Sequence, residues 1–190
     1  MLEKIEKYAK ENSIPIMQKD GIEFLEKFIK ENNIKNILEI GTAIGYSAIK
    51  MALIDEDITI TTIERDEQRY NEAVKNVKNF NLEDRINLIF GDALEVEVNG
   101  NYDLIFIDAA KAQSIKFFEK YEPFLNPNKY IITDNLDFHG LVNSEEKMSR
   151  NLRQLIRKIK NYIEYLKQNK NYETIFYDIG DGVSVSKKRW

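Results

Sequence analysis

Three oxygen-bearing side chains stand where two apolar runs of the sequence end. Asp108 closes the run YDLIFID at 102–108, and Asp134 and Asn135 close the run KYIITDN at 129–135. Each run is typical of a buried parallel strand, and in an open α/β sheet the ligand crevice lies beyond the carboxyl ends of the strands. Two carboxylates and an amide that converge there form a hard-oxygen site suited to Mg²⁺.

A lysine in the same stretch adds a candidate for proton transfer. Lys111 follows Asp108 by three residues, in IDAAK. Beside a cation a lysine loses its proton more easily, and a neutral lysine can act as a base. The plainer interpretation is that Asp108 and Asp134 only cap the segments that follow them. The lone histidine, His139, lies just past these residues, where it either touches a substrate or is a loop residue without chemistry.

A glycine turn upstream indicates a second binding site. The segment GTAIG places Gly41 and Gly45 four positions apart, between a predicted strand and a predicted helix. Glycine at such positions allows a tight turn and close approach of the backbone to a ligand. The spacing is GxxxG rather than the GxGxxG of pyrophosphate binders, which argues against NAD and therefore against a dehydrogenase. A smaller ligand without phosphates, such as S-adenosylmethionine, fits this turn better.

Two more strand ends extend this second site. Glu64 ends the second predicted strand, where a carboxylate is placed to bind both hydroxyls of a ribose. A solvated surface acid is an equally ordinary interpretation of Glu64 alone. The sequence Gly91-Asp92-Ala93 ends the third predicted strand, where a side chain and a backbone N–H could contact an adenine edge. Each match is weak by itself, and their conjunction in order after successive strands indicates a nucleoside cofactor.

An alternation of helices and strands must position these residues. Helical spacing predicts two helices at the start of the chain, over 2–11 and 20–32, with Asp20 as the cap of the second. The predicted elements that follow are strands at 36–40, 58–64, 86–90, 102–108 and 129–134 and helices at 45–54, 66–80 and 112–122. Continuous apolar strands that alternate with helices indicate a parallel sheet covered on both faces.

The end of the chain departs from that alternation. A long amphipathic helix is predicted over 145–169, followed by strands at 172–179 and 183–188 joined around GDG. A short glycine-containing connection between strands predicts a hairpin, which gives the sheet one antiparallel strand. We therefore expect one α/β domain over residues 1–190 with a Rossmann-like, seven-stranded, mostly parallel sheet and helices on both faces. This arrangement resembles the class I methyltransferases more than the dinucleotide dehydrogenases.

The composition sets outer limits on function. The chain has 190 residues, a net charge of −4 and no cysteine, which excludes disulfides and thiolate metal sites. The overall field gives no help to binding an anionic polymer, so any contact with nucleic acid requires a local basic patch. The sequence contains no apolar stretch of the roughly 20 residues needed to span a bilayer, and its start lacks a signal peptide. A soluble cytoplasmic protein is expected.

Taken together, these motifs resemble the metal-dependent O-methyltransferases, the family that includes catechol and caffeoyl-coenzyme A O-methyltransferases. Within that family the chain is most similar to the bacterial tRNA 5-hydroxyuridine methyltransferases, from about Tyr8 to the C-terminus. The segments that carry the resemblance are LEIGTAIGYSAIKMA, FGDALE, FIDAAKAQ, YEPFL, DNLDFHGLV and YETIFYDIGDGVSVSKK. Two features depart from the family: the N-terminal segment is shorter, and Ser114 stands where an aromatic residue is common.

The resemblance implies a role for individual residues. The implied Mg²⁺ ligands are Asp108, Asp134 and Asn135, and Lys111 matches the lysine proposed as the base, with Asp108 as its catalytic neighbour. The implied contacts with S-adenosylmethionine are Met17, Gly41, Ser47, Glu64, Asp92, Ala93 and Asp108. The family also implies a homodimer.

The implied substrate is a wobble uridine in an anticodon loop, whose edges are accessible without melting a helix. Like a catechol, 5-hydroxyuridine offers two neighbouring oxygens, here the O4 carbonyl and the 5-hydroxyl, to a metal that lowers the hydroxyl pKa. The oxyanion then attacks the sulfonium methyl group, and much of the rate comes from positioning the two reactants. The product is 5-methoxyuridine.

Alternatives to this interpretation stay open at the level of sequence. The acidic net charge favours a small-molecule catechol-type O-methyltransferase, and a catalytically silent binding protein would keep the same fold. Basic residues on the helix over 145–169 and in the tail could contact RNA or could form an ordinary solvated face. These residues are Arg150, Arg153, Arg157, Lys158, Lys160, Lys167, Lys170, Lys187, Lys188 and Arg189. No motif supports binding to DNA or to a membrane.

Overall fold

The computed structural model describes residues 1–137 and 149–190. The α-helices in these ranges are α1 Leu2–Glu11, α2 Lys19–Glu31, α3 Tyr46–Ala52, α4 Glu67–Asn79, α5 Ser114–Tyr121 and α6 Arg150–Gln168. The strands are β1 Asn36–Ile40, β2 Thr59–Glu64, β3 Ile86–Phe90, β4 Tyr102–Ile107, β5 Leu125–Thr133, β6 Tyr172–Tyr177 and β7 Val183–Lys188. None of the helices in the described ranges combines the length and hydrophobicity needed to cross a membrane.

The strands form one sheet of seven in the order β3-β2-β1-β4-β5-β7-β6. The first five strands run parallel, and β7 is antiparallel to both β5 and β6. The predicted mixed sheet with a terminal hairpin is therefore confirmed. The strand order reverses between β1 and β4, and the crevice beyond the carboxyl ends of such a pair is where open α/β sheets bind ligands.

Both faces of the sheet are buried against helices, as the continuous apolar strands predicted. On one face α1, α2 and α3 pack over Ile37, Leu104 and Phe106. On the other face α5 and α6 pack over Leu38 and Ile105. Consecutive residues of β1 thus enter opposite layers, as the two-residue period of a strand requires. The same alternation aims the side chain of Glu39, two residues after Ile37, into the layer that holds α3.

Some details of these elements differ from the sequence-based expectation. Strand β5 begins at Leu125 rather than at Lys129, because Leu125 pairs with Tyr102 before a register shift that accommodates Pro127. Asp20 was wrongly predicted to cap α2: Gln18 occupies the cap position without a side-chain bond, and Asp20 lies in the first turn. Its carboxylate is still favourably placed there, near the positive end of the helix dipole. The helix predicted from 145 is described from Arg150, and residues 145–148 lie outside the described ranges.

The hairpin between β6 and β7 holds the segment that follows β5. The N–H of Leu136 donates to the carbonyl of Gly182 at 2.9 Å, and the N–H of Asp137 donates to the carbonyl of Asp181 at 2.7 Å. Gly182 has a φ of +84°, and a Cβ atom on it would lie 2.8 Å from the nitrogen of Asp137. Only glycine permits this contact, so the hairpin fixes where the chain leaves Asp134 and Asn135.

We predict that Gly182→Ala destabilises the protein more than the matched change Gly100→Ala. Both glycines have a positive φ, +84° and +93°, so both variants carry a backbone strain of about 1–2 kcal/mol. Gly100 has no heavy atom within 4 Å of its would-be Cβ, whereas Gly182 meets backbone, which adds about 1–3 kcal/mol of overpacking. Urea denaturation measures both losses, and equal losses would show that the hairpin contact is not tight.

Candidate active site

One cavity of about 550 Å³ opens beyond the carboxyl ends of the parallel strands. Every residue that the sequence placed in a cofactor, metal or catalytic role lines it: Met17, Gly41, Ser47, Glu64, Asp92, Ala93, Asp108, Lys111, Asp134 and Asn135. They come from chain segments far apart in sequence, and the sheet brings most of them together because they lie at or just beyond the carboxyl ends of its parallel strands. Their roles stay predictions; their convergence is a property of the fold.

Two strands place the oxygen ligands at one end of this cavity. Asp108 follows β4, and its N–H donates to the carbonyl of Ile40 at 2.9 Å; Asp134 follows β5, and its N–H donates to the carbonyl of Ile107 at 3.2 Å. The Asn135 side-chain nitrogen lies 2.8 Å from Asp134 Oδ2 and 3.4 Å from Asp108 Oδ1. Asn135 has a φ of +63°, a left-handed conformation that asparagine tolerates better than most residues. Three oxygen-bearing groups therefore meet within hydrogen-bonding distance.

The electrostatics of this end favour a cation. Burial, and next the charge of Asp108, raise the pKa of Asp134 to about 7, and Asp181 of the hairpin acts in the same direction. Lys111 opposes these effects on Asp134, and its Nζ lies 2.7 Å from Asp108 Oδ1. Among the described residues no group of three or more His, Cys, Asp or Glu could hold a metal.

The glycine turn forms the wall next to the metal end. Gly41 has a φ of +102°, and a Cβ on it would lie 2.3 Å from the carbonyl oxygen of Asp108. Glu64 holds the rest of the turn, since it accepts from the N–H of Ala43 at 2.7 Å and from that of Asp66 at 2.8 Å. Glu64 is buried rather than a solvated surface acid. Each carboxylate oxygen keeps a further lone pair for a ligand hydroxyl.

The far end of the cavity lies beyond β3. Asp92 accepts from the N–H of Leu94 at 2.8 Å, which shapes the turn after Gly91. The carbonyl of Ala93 accepts from the Tyr121 hydroxyl at 2.6 Å, and Phe117 adds an aromatic wall. A polar edge beside an apolar wall suits a flat heterocycle such as adenine.

Sequence reasoning missed a buried polar network beneath this wall. The carboxyl group of Glu39 is fully buried and accepts hydrogen bonds from the hydroxyls of Ser47 and Thr62. The Thr62 hydroxyl in turn lies 2.6 Å from that of Thr42. The available signal was a charged residue in the middle of the apolar run NILEI, a placement that is rare without partners.

Two more parts of the cavity wall were also not predicted. Gly180 and Asp181 come from the hairpin, and Pro15 and Ile16 come from the extended segment before α2. Both segments are far in sequence from the glycine turn, and no local pattern marks them as cavity lining. His139, which the sequence left as a substrate contact or a loop residue, lies outside the described residues.

The sheet order, the terminal hairpin and a cavity at the strand reversal define a Rossmann-like methyltransferase fold. Comparison with known proteins agrees. The model of the O-methyltransferase family matches residues 1–189. A Staphylococcus aureus structure, provisionally described as a caffeoyl-CoA O-methyltransferase, is 43% identical with a TM-score of 0.94, over 98% of this chain and 91% of that one.

Two further relatives point the same way. Tapetum-specific methyltransferase 1 of Arabidopsis thaliana is 31% identical over 173 residues, which are 87% of this chain and 74% of the relative. The structure of an O-methyltransferase from Bacillus cereus in complex with SAH is 25% identical with a TM-score of 0.83, over 98% of this chain and 90% of that one. The chain belongs to the O-methyltransferase family, so the recognition made from its sequence motifs is confirmed at the family level.

We predict that Asp134→Asn stabilises the protein when a chelator is present. The folded-state pKa of Asp134, about 7, lies above its ordinary value of 3.8. Wild-type stability is therefore lost as the pH rises between these values, because the carboxyl group ionises in the unfolded chain while burial keeps it protonated in the folded protein. Asparagine has no such charge, so at about pH 8 the variant should be more stable than wild type by about 1–3 kcal/mol, and this advantage should shrink as the pH falls toward about 4.

Urea denaturation at both ends of that pH range measures the effect. The matched control is Asp84→Asn, which removes an exposed carboxylate and should show little pH-dependent difference. An Asp134→Asn protein that is less stable than wild type at the higher pH would contradict the electrostatic account.

Proposed function

We propose that this protein transfers a methyl group from S-adenosylmethionine to the 5-hydroxyl of 5-hydroxyuridine at the tRNA wobble position, giving 5-methoxyuridine. Membership in the O-methyltransferase family supports the reaction, and the SAH bound to the Bacillus cereus relative supports the donor. The observation that carries the proposal is the juxtaposition of a nucleoside-sized cavity with two carboxylates, an amide and a lysine that can receive a vicinal pair of oxygens. The proposal includes Mg²⁺ as cofactor and a homodimer as the assembly.

Residues along the cavity bind and orient the donor. Glu64 accepts hydrogen bonds from the ribose hydroxyls with the lone pairs that Ala43 and Asp66 leave free. Asp92 and Ala93, beside Phe117, receive the adenine at the far end. The sulfonium then lies in the cavity beside the contact of Gly41 with Asp108, since both residues line the cavity there. The donor methyl group is thereby aimed at the oxygen-rich end.

The side chains at that end fit a magnesium ion. Asp108, Asp134 and Asn135 supply three oxygens, and the pKa of Asp134 is raised because burial and the charge of Asp108 outweigh the opposing charge of Lys111. Magnesium prefers oxygen ligands and keeps positions open for other oxygens. When bound, it would supply chelation of two neighbouring substrate oxygens and a lowered pKa of the substrate hydroxyl. Asn135 would take part through its Oδ1, with the amide rotated from the orientation that bonds Asp134.

Lys111 is placed to receive the substrate proton. Its Nζ lies 2.7 Å from Asp108 Oδ1, so the ammonium is paired with one of the proposed metal ligands. A cation on Asp108 would weaken that pairing and favour the neutral amine, which is the form that acts as a base. Lys111 precedes α5 in a 3₁₀ turn, Lys111–Gln113, which keeps it on the cavity wall.

The substrate assignment is supported by a basic helix next to the cavity. Helix α6 packs against the 3₁₀ turn that carries Lys111, and its apolar stripe is buried in the core. The opposite side presents the exposed basic residues Arg150, Arg153, Arg157, Lys158, Lys160 and Lys167. Phosphate contacts by such residues provide most of the affinity of an RNA-binding surface. A nucleotide bound in the cavity would therefore leave its flanking phosphates near these cations.

The competing proposal is a small-molecule catechol-type O-methyltransferase with the same chemistry. The net charge of −4 favours it, since such a protein attracts polyanions only locally. The provisional description of the Staphylococcus aureus relative as a caffeoyl-CoA enzyme favours it too. The two proposals share the donor and metal ends and differ in what occupies the cavity mouth.

Transfer of label from S-adenosylmethionine separates the two proposals. The acceptors are tRNA containing 5-hydroxyuridine, the same tRNA with unmodified uridine, and a catechol, each with Mg²⁺ and with a chelator. We expect chelator-sensitive label on the wobble position of the first tRNA and no label on the second. Label on the catechol alone would select the small-molecule enzyme, and label that survives the chelator would overturn the metal mechanism.

We further predict that Arg153→Glu with Arg157→Glu weakens tRNA binding without changing the affinity for S-adenosylhomocysteine. Each lost phosphate contact reduces the slope of log affinity against log salt concentration by about one unit. The loss of two contacts should therefore weaken tRNA binding about tenfold or more at moderate salt. The matched control reverses the exposed Lys75 and Lys78 of α4, which alters net charge equally on a different helix. Filter binding at two salt concentrations measures both, and equal weakening by the two pairs would remove α6 from the RNA-binding surface.

A further inference from the structure

Directly beneath the proposed donor site lies the buried carboxyl group of Glu39. The side chain projects from the middle of β1 toward α3 and is 0% exposed. Ser47 donates its hydroxyl to Oε1, and Thr62 donates to Oε2 at 2.5 Å. Ser47 also lines the cavity, so it connects the buried carboxyl group with the space that a ligand would occupy.

The hydrogen bonds of this network can be arranged in two ways. When Glu39 is ionised it accepts from both hydroxyls, and Thr42, 2.6 Å from Thr62, completes a chain that can point all its hydrogens toward the carboxylate. The Ser47 hydroxyl then offers the cavity only its lone pairs. When Glu39 holds a proton, its own O–H can donate to Ser47, and the Ser47 hydrogen becomes available to the cavity. The protonation state of Glu39 thus decides whether Ser47 meets a ligand as acceptor or as donor.

The charges around Glu39 make both states accessible. No cationic side chain in residues 1–137 or 149–190 bonds to it. Burial is the largest effect and raises its pKa to about 7, against the hydrogen bonds from Ser47 and Thr62. The charges of Asp108, after β4, and Glu64, at the end of β2, also raise it. The polar groups that act on Glu39 are therefore the hydroxyls of Ser47 and Thr62 and the negative charges of Asp108 and Glu64. The carboxyl group can exchange its proton near neutral pH.

The layout of the cavity indicates which part of a donor reaches Ser47. Under the proposed function, Glu64 takes the ribose and the Asp108 end takes the methyl group, so the third substituent of the sulfonium extends along the glycine turn. That substituent is an amino acid with a carboxylate, which requires hydrogen-bond donors. We propose that Glu39 is a positioning residue that takes up a proton when the donor binds, so that Ser47 turns its hydroxyl hydrogen toward the donor carboxylate.

The proton balance of this step is simple. One proton from solvent adds to the Glu39 carboxylate, the new O–H donates to Ser47 Oγ, and the Ser47 O–H moves its hydrogen bond from Glu39 to the ligand. No covalent bond of the donor changes. The inference rests on the proposed use of S-adenosylmethionine, and it predicts that donor binding favours low pH. An ammonium group at Ser47 would instead favour the ionised carboxylate and give the opposite dependence.

The test is the affinity for S-adenosylhomocysteine as a function of pH, measured by calorimetry on wild type and on Glu39→Gln with Mg²⁺ present. Glutamine keeps the shape, donates to Ser47 and accepts from Thr62, but it cannot change protonation. Wild type should bind about tenfold more weakly at about pH 8 than at about pH 6, as expected when a group with a pKa near 7 must be protonated. The affinity of Glu39→Gln should change by less than half as much over the same pH range, on a logarithmic scale.

Two controls isolate the network. Wild type and Glu39→Gln bind the same ligand, and both keep Asp134. Titration of the ligand or of Asp134 therefore contributes equally to the pH dependence of the two proteins. Adenosine lacks the amino-acid part, so its affinity for wild type should not show the tenfold change. If Glu39→Gln does not fold, Ser47→Ala takes its place and should lose at least half of the logarithmic pH dependence of wild type.

The outcomes separate this inference from the proposed function. A wild-type affinity that is independent of pH or rises with pH, or a dependence that the variant shares, overturns the role of Glu39 while the donor site stands. Wild type that binds neither adenosine nor S-adenosylhomocysteine overturns both.

Discussion

The approach of the glycine turn to the end of β4 is the constraint on which the site depends. Strands β1 and β4 are neighbours at the point where the sheet order reverses, and Gly41 passes so close to Asp108 that a Cβ would lie 2.3 Å from its carbonyl oxygen. No side chain other than hydrogen fits there without moving a central strand. Because the turn holds the donor wall and Asp108 opens the oxygen-rich end, this contact sets the distance between the two halves of the reaction. Positioning of that kind is a large source of rate in a two-reactant transfer.

The same region contains buried carboxyl groups that reduce the stability of the folded protein when they are ionised. Glu39 and Asp134 are both buried with raised pKa values of about 7, and for both burial is the largest cause. Buried acids without a cationic partner cost stability in the ionised state. The burial of apolar side chains on both faces of the sheet supplies stability that offsets this cost. Perturbed carboxyl groups in and directly beneath one cleft are more typical of a functional site than of a structural one.

Most of the fold was predictable because a buried parallel strand has a simple signature. Apolar runs that end on Asp108, Asp134 or Glu64 marked both the strands and the edge of the sheet where a ligand binds, and the GDG turn marked the hairpin. The start of β5 was not predictable, because Leu125 pairs with Tyr102 across a register shift that no period reveals. The cap of α2 was missed because Asp20 has the right type but lies inside the first turn.

In the candidate site, the residues at the strand ends were predictable, whereas the buried contacts that hold them in place were not. Residues at strand ends are found from sequence since their position follows from the strand. Glu39 was missed because its partners Ser47 and Thr62 come from other elements, and only the three-dimensional register of β1 against β2 and α3 brings them together. The hairpin contact of Gly182 with Asp137 is likewise a tertiary approach, with no local pattern beyond the glycine itself. Sequence specifies reactive groups more readily than the contacts that aim them.

The most direct test of this account is a crystal structure with S-adenosylhomocysteine and Mn²⁺, the latter located by its anomalous scattering. The account predicts one manganese bound by Asp108, Asp134 and Asn135 at about 2.0–2.3 Å, as for oxygen ligands of a hard divalent ion. It also predicts the sulfur of the ligand in the cavity beside Gly41 and Asp108, facing that ion, with the ribose on Glu64. Manganese bound elsewhere, or a ligand whose sulfur faces away from the carboxylates, would contradict it.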